Sequence, residues 1–124
     1  MGARILIADD EANIVTSLEF LMRDGDYEVR IARNGEEALR LAEAFHPDLV
    51  LLDVMMPLRS GFDVCRKIRE NPGLRDIKIV MLTARGREAE RSRGVDLGAN
   101  AYVTKPFSTK DLMNTVRSLL PRID

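Results

Sequence analysis

Three carboxylates, a hydroxyl and an ammonium recur just beyond short apolar runs of this 124-residue chain: Asp9 and Asp10 after residues 5–8, Asp53 after 49–52, Thr83 after 79–82 and Lys105 after 101–103. If those runs are parallel strands, all five side chains lie beyond carboxyl ends, where the loops of an open sheet converge and sites form. Two unit charges about 4 Å apart repel by about 4 kcal/mol at an effective dielectric of about 20. Three carboxylates facing one volume therefore need a cation. Hard oxygen ligands with positions left for water select Mg²⁺.

Taken singly, each of these residues has an ordinary explanation. Asp9 and Asp10 are good caps for a first helix. Asp53 suits a turn ahead of Pro57. A threonine at a strand end is commonly structural, and a lone lysine is commonly a solvated charge. Independent ordinary causes do not, however, place all five at carboxyl ends in this order.

The elements that must position them are legible in the hydropathy pattern. Residues 5–8, 29–32, 49–52, 79–82 and 101–103 read as buried strands. Between them Ile14, Leu18 and Leu21 share a helical face, as do Ala38, Ala42 and Phe45, then Val64, Cys65 and Ile68, and last Leu112, Val116 and Leu119. Asn34 with Glu37 has capping-box spacing, Ser108 suits an N-cap, and Gly25 and Gly98 suit helix ends. A fourth helix, over residues 87–97, offers only Ala89, Val95 and Leu97 among many charges, and is expected to dock loosely. Strands that are apolar on both faces and alternate with helices make an α/β fold, a three-layer α/β/α sandwich around a parallel sheet. The pattern alone leaves the strand order open.

Composition narrows the function. With 45% apolar residues the chain suits one compact domain, residues 1–124. Its 19 basic and 20 acidic side chains, net charge -1, give no support to non-specific nucleic-acid binding. No apolar run approaches the roughly 20 residues that span a bilayer. The start runs straight into a strand pattern without a signal peptide, and Leu6 stands where a myristoylation motif after Gly2 wants Ser or Thr. The single cysteine, Cys65, cannot form an internal disulfide and sits among apolar neighbours as core. A cytoplasmic domain without membrane or nucleic-acid contacts is the expectation. His46, before Pro47, reads as a surface loop residue.

Four motifs stand out: Ile5-Leu6-Ile7-Ala8-Asp9-Asp10-Glu11, Asp53-Val54-Met55-Met56-Pro57 with Gly61, Val80-Met81-Leu82-Thr83-Ala84, and Tyr102-Val103-Thr104-Lys105-Pro106-Phe107. In combination they resemble the receiver domains of bacterial two-component response regulators, and the resemblance runs from about Arg4 to Leu120. It implies a flavodoxin-like, five-stranded parallel sheet in the order 2-1-3-4-5. It also implies that Asp53 is the phosphoacceptor, taking its phosphoryl group from a phosphohistidine of a sensor histidine kinase or phosphotransfer protein. Such a chain is a signalling switch that catalyses only its own phosphorylation and dephosphorylation. By the same resemblance Asp10, Asp53 and the backbone carbonyl of Met55 hold Mg²⁺, and Asp9 acts through water. Lys105 pairs with the phosphoryl oxygens and Thr83 hydrogen-bonds one of them. A cis Lys105–Pro106 bond aims the lysine, and Met55 and Arg85 flank the path of a hydrolytic water. Ala84 is small enough to leave Asp53 accessible. Tyr102 matches the family's switch aromatic, so that Thr83 and Tyr102 alter the surface made by the fourth helix, the fifth strand and the last helix.

Other readings fit less well. A phosphatase with an aspartate nucleophile after the first strand wants acidic residues two apart, whereas Asp9 and Asp10 are adjacent. A flavodoxin-like cofactor binder wants Gly, Ser and Thr after Ala8 to cradle a phosphate, and they are missing. The serious alternative is a phosphorylation-independent protein-interaction module on the receiver fold; the presence of all five site residues argues against it. The segments 83–85 and 105–108 resemble receivers attached to winged-helix transcription factors. Asn100 and Ala101, however, replace the acidic pair that such receivers often carry before the tyrosine. An Arg91–Asp111 pair is the contact left to support a dimer.

Overall fold

A computed structural model describes residues 2–84, 93 and 96–120. Strands and helices alternate in it as β1 (Arg4–Ala8), α1 (Ala12–Asp24), β2 (Glu28–Ala32), α2 (Gly35–Phe45), β3 (Leu49–Asp53), α3 (Gly61–Glu70), β4 (Lys78–Ala84), β5 (Ala101–Lys105) and α4 (Thr109–Leu119). The helix expected over 87–97 falls mostly outside the described residues, as do Arg85 and Arg91. The five strands form one parallel sheet in the order β2-β1-β3-β4-β5. Three strands run further than their apolar cores: β3 takes in Asp53, β4 passes Thr83 and β5 ends on Lys105. These three side chains are thus held by the sheet ladder itself rather than by the loops after it.

Strand alternation divides the core into two layers. Leu49 and Leu51 of the central β3 join Ile5, Ile7, Val80 and Leu82 against Val15, Leu18 and Met22 of α1 and Leu112, Met113 and Val116 of α4. Val50 and Leu52 join Leu6, Ala8, Ile79 and Met81 against Ala38 and Ala42 of α2 and Val64, Cys65 and Ile68 of α3. Every residue of β3 is buried, as a strand covered on both faces requires. The lone Cys65 is core, its thiol directed at the carbonyl of Leu97.

Helix ends follow local chemistry, with two departures from expectation. Asn34 accepts from the Glu37 N–H at 2.8 Å, and Glu37 reaches back to the Arg33 N–H at 3.3 Å, one residue before the usual partner. Ser60 and Ser108 cap α3 and α4. Helix α1 has Glu11 at its N-cap with no side-chain cap bond, so neither Asp9 nor Asp10 does that work. At the other end of α1, Gly25 keeps a right-handed backbone and Asp26 takes the left-handed turn at φ 66°, a conformation aspartate tolerates. His46 is exposed and ends α2 in the left-handed region, with Pro47 blocking any further turn. Among the described residues, no helix is long and apolar enough to cross a membrane.

Candidate functional site

Asp53, at the end of the central strand, is 5% exposed. Ala8 pairs with Leu52 across β1 and β3, so Asp9 and Asp53 occupy the next row of the sheet. Asp9 is fully buried and Asp10 is exposed. One carboxylate oxygen from each of Asp9, Asp10 and Asp53 lies within 4.8 Å of the other two. From β5, two strands away, the Lys105 ammonium reaches over the same row, 2.9 Å from Asp9 Oδ2 and 3.5 Å from Asp53 Oδ1. The Met55 N–H donates to Asp53 Oδ1 at 3.4 Å. Thr83 is buried next to last on β4, and the exposed Ala84 after it pairs with Lys105.

The cluster carries excess negative charge. Burial, and then the neighbouring charge of Asp9, push the Asp53 carboxyl up from its ordinary 3.8 to about 7; Lys105 and the Met55 N–H only partly offset this. Burial works against the charge of Lys105, but its hydrogen bond to Asp9 and the charges of Asp53 and Asp9 outweigh that and raise it above the usual lysine range. A buried carboxyl raised this far ionises more readily when further positive charge is placed beside it. The converging donors are all oxygens, with Asp10 open to water, and this set fits a hard divalent cation such as Mg²⁺.

The loop from β3 to α3 is held from behind. A Cβ on Gly61 would collide with the Asp53 carbonyl oxygen, and one on Gly35 with the backbone of Arg59, so both glycines permit close approach. The Gly61 N–H donates to the Val54 carbonyl at 2.8 Å. Arg59 bridges the starts of α2 and α3, bonding Glu36 and Asp63 at 2.6 Å each. The Arg59 hydrogen bond holds the Asp63 carboxyl below its usual range. At the opposite wall the Lys105–Pro106 bond is cis.

All five residues singled out by their spacing stand at this one end of the sheet, with Asp9, Asp10 and Asp53 in mutual reach and Lys105 against Asp9 and Asp53. Tyr102 is not among them. It pairs with Met81 and packs on the α2/α3 side with Leu97 and Ala99, on the sheet face from which Thr83 also projects two residues beyond Met81. Glu11, to which the sequence pattern assigns no role, accepts from Lys105 at 3.2 Å. The only sequence signal for it was its place as third acid in the run Asp9-Asp10-Glu11. Asn100, read as a lost dimer charge, has internal work: its side-chain oxygen accepts from Arg69 and from the Ile79 N–H.

Comparison with known proteins agrees with this geometry. The chain is 48% identical over 121 residues to the probable transcriptional regulator ycf27 of Cyanophora paradoxa, covering 98% of this chain and 49% of the relative. It is 42% identical over 122 residues to the alkaline phosphatase synthesis transcriptional regulatory protein PhoP of Bacillus subtilis, covering 98% and 50%. The chain thus spans about half the length of the curated relatives it matches. Its fold superposes with a TM-score of 0.88, at 29% identity and covering 96% of this chain and 98% of the other, on the receiver domain of the sensor histidine kinase PA1611 from Pseudomonas aeruginosa, a structure with a magnesium ion coordinated in the active-site cleft. The model of the response regulator receiver domain matches residues 5–117, and the chain belongs to that family.

Proposed function

We propose that this receiver accepts a phosphoryl group on Asp53 from a phosphohistidine of a sensor histidine kinase or phosphotransfer protein. The observation that carries the reading is the buried Asp53 carboxylate at the end of β3, in one cluster with Asp9 and Lys105. An Asp53 oxygen attacks phosphorus as the bond to the imidazole nitrogen breaks. The transferred oxygens keep their charge, so positioning and neutralisation carry the catalysis. Lys105 contributes by turning its ammonium to those oxygens. Asp10, Asp53 and the Met55 backbone carbonyl would hold Mg²⁺, with Asp9 acting through water. The bound ion would supply neutralising charge at the phosphoryl oxygens.

The aspartyl phosphate adds roughly -1.5 to -2 charge and new acceptors. The Thr83 hydroxyl donates to one of them and moves toward Asp53, which opens space on the face it shares with Tyr102. Motion of Tyr102 into that space alters the surface around β5 and α4. That surface hands the signal to an effector, and transcriptional control, the role printed in the names of the curated relatives, is the output class this reading favours. On this reading the domain catalyses only its own phosphorylation and dephosphorylation.

Incubation with Mg²⁺ and acetyl phosphate or a cognate kinase, followed by mass spectrometry, tests it. One acid-labile phosphoryl group on the wild type and none on Asp53→Asn is the expected result; undiminished label on the variant refutes it.

A further inference from the structure

We propose that Glu11 is a positioning residue for phosphoryl transfer: by accepting a hydrogen bond from Lys105 it holds the ammonium back from Asp53 until a phosphoryl group competes for it. The proposal rests on the reading of Asp53 as phosphoacceptor. Three carboxylates surround Lys105 Nζ, at 2.9 Å for Asp9, 3.2 Å for Glu11 and 3.5 Å for Asp53. An ammonium has three protons to distribute, and here they favour the two carboxylates that do not take the phosphoryl group.

The two holding carboxylates differ in what they can do next. The Asp9 side chain is wholly buried, and its other oxygen is fixed by the Glu11 N–H at 2.9 Å. Glu11 has a side chain 61% exposed, on the N-cap residue of α1, where it makes no cap bond. No helix-capping task competes for its carboxylate. Glu11 can therefore let go of Lys105 into water, and Asp9 cannot. Its grip opposes the movement of Lys105 onto incoming phosphoryl oxygens and draws the lysine back afterwards, which exposes the phosphoryl group to loss. An exposed ion pair is weak, so the effect is a modest one, about two- to fivefold in rate.

Acetyl phosphate at saturating Mg²⁺ provides the test, with uptake and subsequent loss of label timed for wild type, Glu11→Ala and Glu11→Asp. The aspartate keeps the charge but is one methylene shorter, so it separates reach from charge. Both variants are expected to take up label about two- to fivefold faster and to lose it more slowly. In the resting Glu11→Asp protein the Lys105 side-chain NMR signals should move, whatever the change in thermal stability. Uptake by Glu11→Asp at or below the wild-type rate, or unmoved Lys105 signals, overturns the role of Glu11 while leaving Asp53 as phosphoacceptor. A wild type that takes no label at all overturns the phosphoacceptor reading, and this inference with it.

Discussion

Arg69 at the end of α3 donates to Asn100 Oδ1 at 2.7 Å, and the same oxygen accepts the Ile79 N–H at 2.8 Å. The guanidinium directs three more donors at the carbonyls of Gly98 at 2.9 Å, Arg75 at 2.8 Å and Ile77 at 2.6 Å. One side chain thus ties the end of α3 to the approaches of β4 and β5. Gly98, at φ 102°, has no Cβ to push the guanidinium away. The strands that deliver Thr83 and Lys105 to the site are anchored at their far ends by this clamp.

Removing the clamp should cost stability. Arg69→Ala removes the donor to the part-buried carbonyls of Gly98 and Ile77, and about 2–3 kcal/mol is the expected loss. Asn100→Asp keeps an acceptor for both Arg69 and Ile79, so it should stay within about 0.5 kcal/mol of wild type or gain from the charge-assisted bond. Urea unfolding of both variants checks this; an Arg69→Ala midpoint equal to wild type contradicts it.

The raised Asp53 pKa fixes a sign for stability against pH. Between about 4 and 7 the folded carboxyl keeps a proton that the unfolded chain has lost, so folding loses stability as pH rises through this window. The full penalty, on the order of a few kcal/mol, applies above pH 7 in the absence of a cation. Asp53→Asn should therefore raise the melting temperature strongly at pH 8 without Mg²⁺ and little at pH 4, and added Mg²⁺ should stabilise the wild type at pH 8. An Asn variant no more stable than wild type at pH 8 would falsify this account.

Asp9, Asp10, Asp53, Thr83 and Lys105 were legible because strand periodicity marks strand ends, and a parallel sheet puts all its carboxyl ends on one side whatever the strand order. The layers of the core were legible for the same reason, although the buried stripe of α1 centres on Val15, Leu18 and Met22, with Ile14 and Leu21 at its edge. What stayed hidden depends on where long side chains reach across the fold. Glu11 meets Lys105 across 94 positions of sequence, and Arg69 meets Asn100 across 31, distances at which no local pattern speaks. The left-handed turn at Asp26 rather than Gly25 was hidden too, because either residue can supply it and packing decides.

Gly61 lies against the backbone of Asp53, and this gives a local test of its proposed role. Gly61→Ala must displace the Asp53–Val54 backbone, at a cost of about 1–3 kcal/mol, and should also slow phosphoryl uptake. Gly73→Ala is the control, since its Cβ would meet only the Asn71 side chain at 3.4 Å, an ordinary contact. Equal uptake by the two variants would rule out the coupling between this close approach and the site.

The lifetime of the phosphoryl group should depend on Met55. Loss of phosphate requires a water in line with phosphorus, and Met55, two residues beyond Asp53 and 60% exposed, is one of the two side chains expected from the resemblance to flank that approach. A thioether is a poor partner for water. Arg85, the other residue expected to flank the path, lies outside the described residues. With Met55 in place the phosphoprotein should decay slowly. Met55→Asn supplies an amide that can hold the water, and one such hydrogen bond is worth about 0.5–1.5 kcal/mol, or roughly a two- to tenfold faster loss. Met55→Leu keeps the size and offers no acceptor, so it should decay like the wild type. Timed loss of label after removal of acetyl phosphate distinguishes the two. If Met55→Asn decays no faster than Met55→Leu, the side chain is an exposed loop residue without influence on the water.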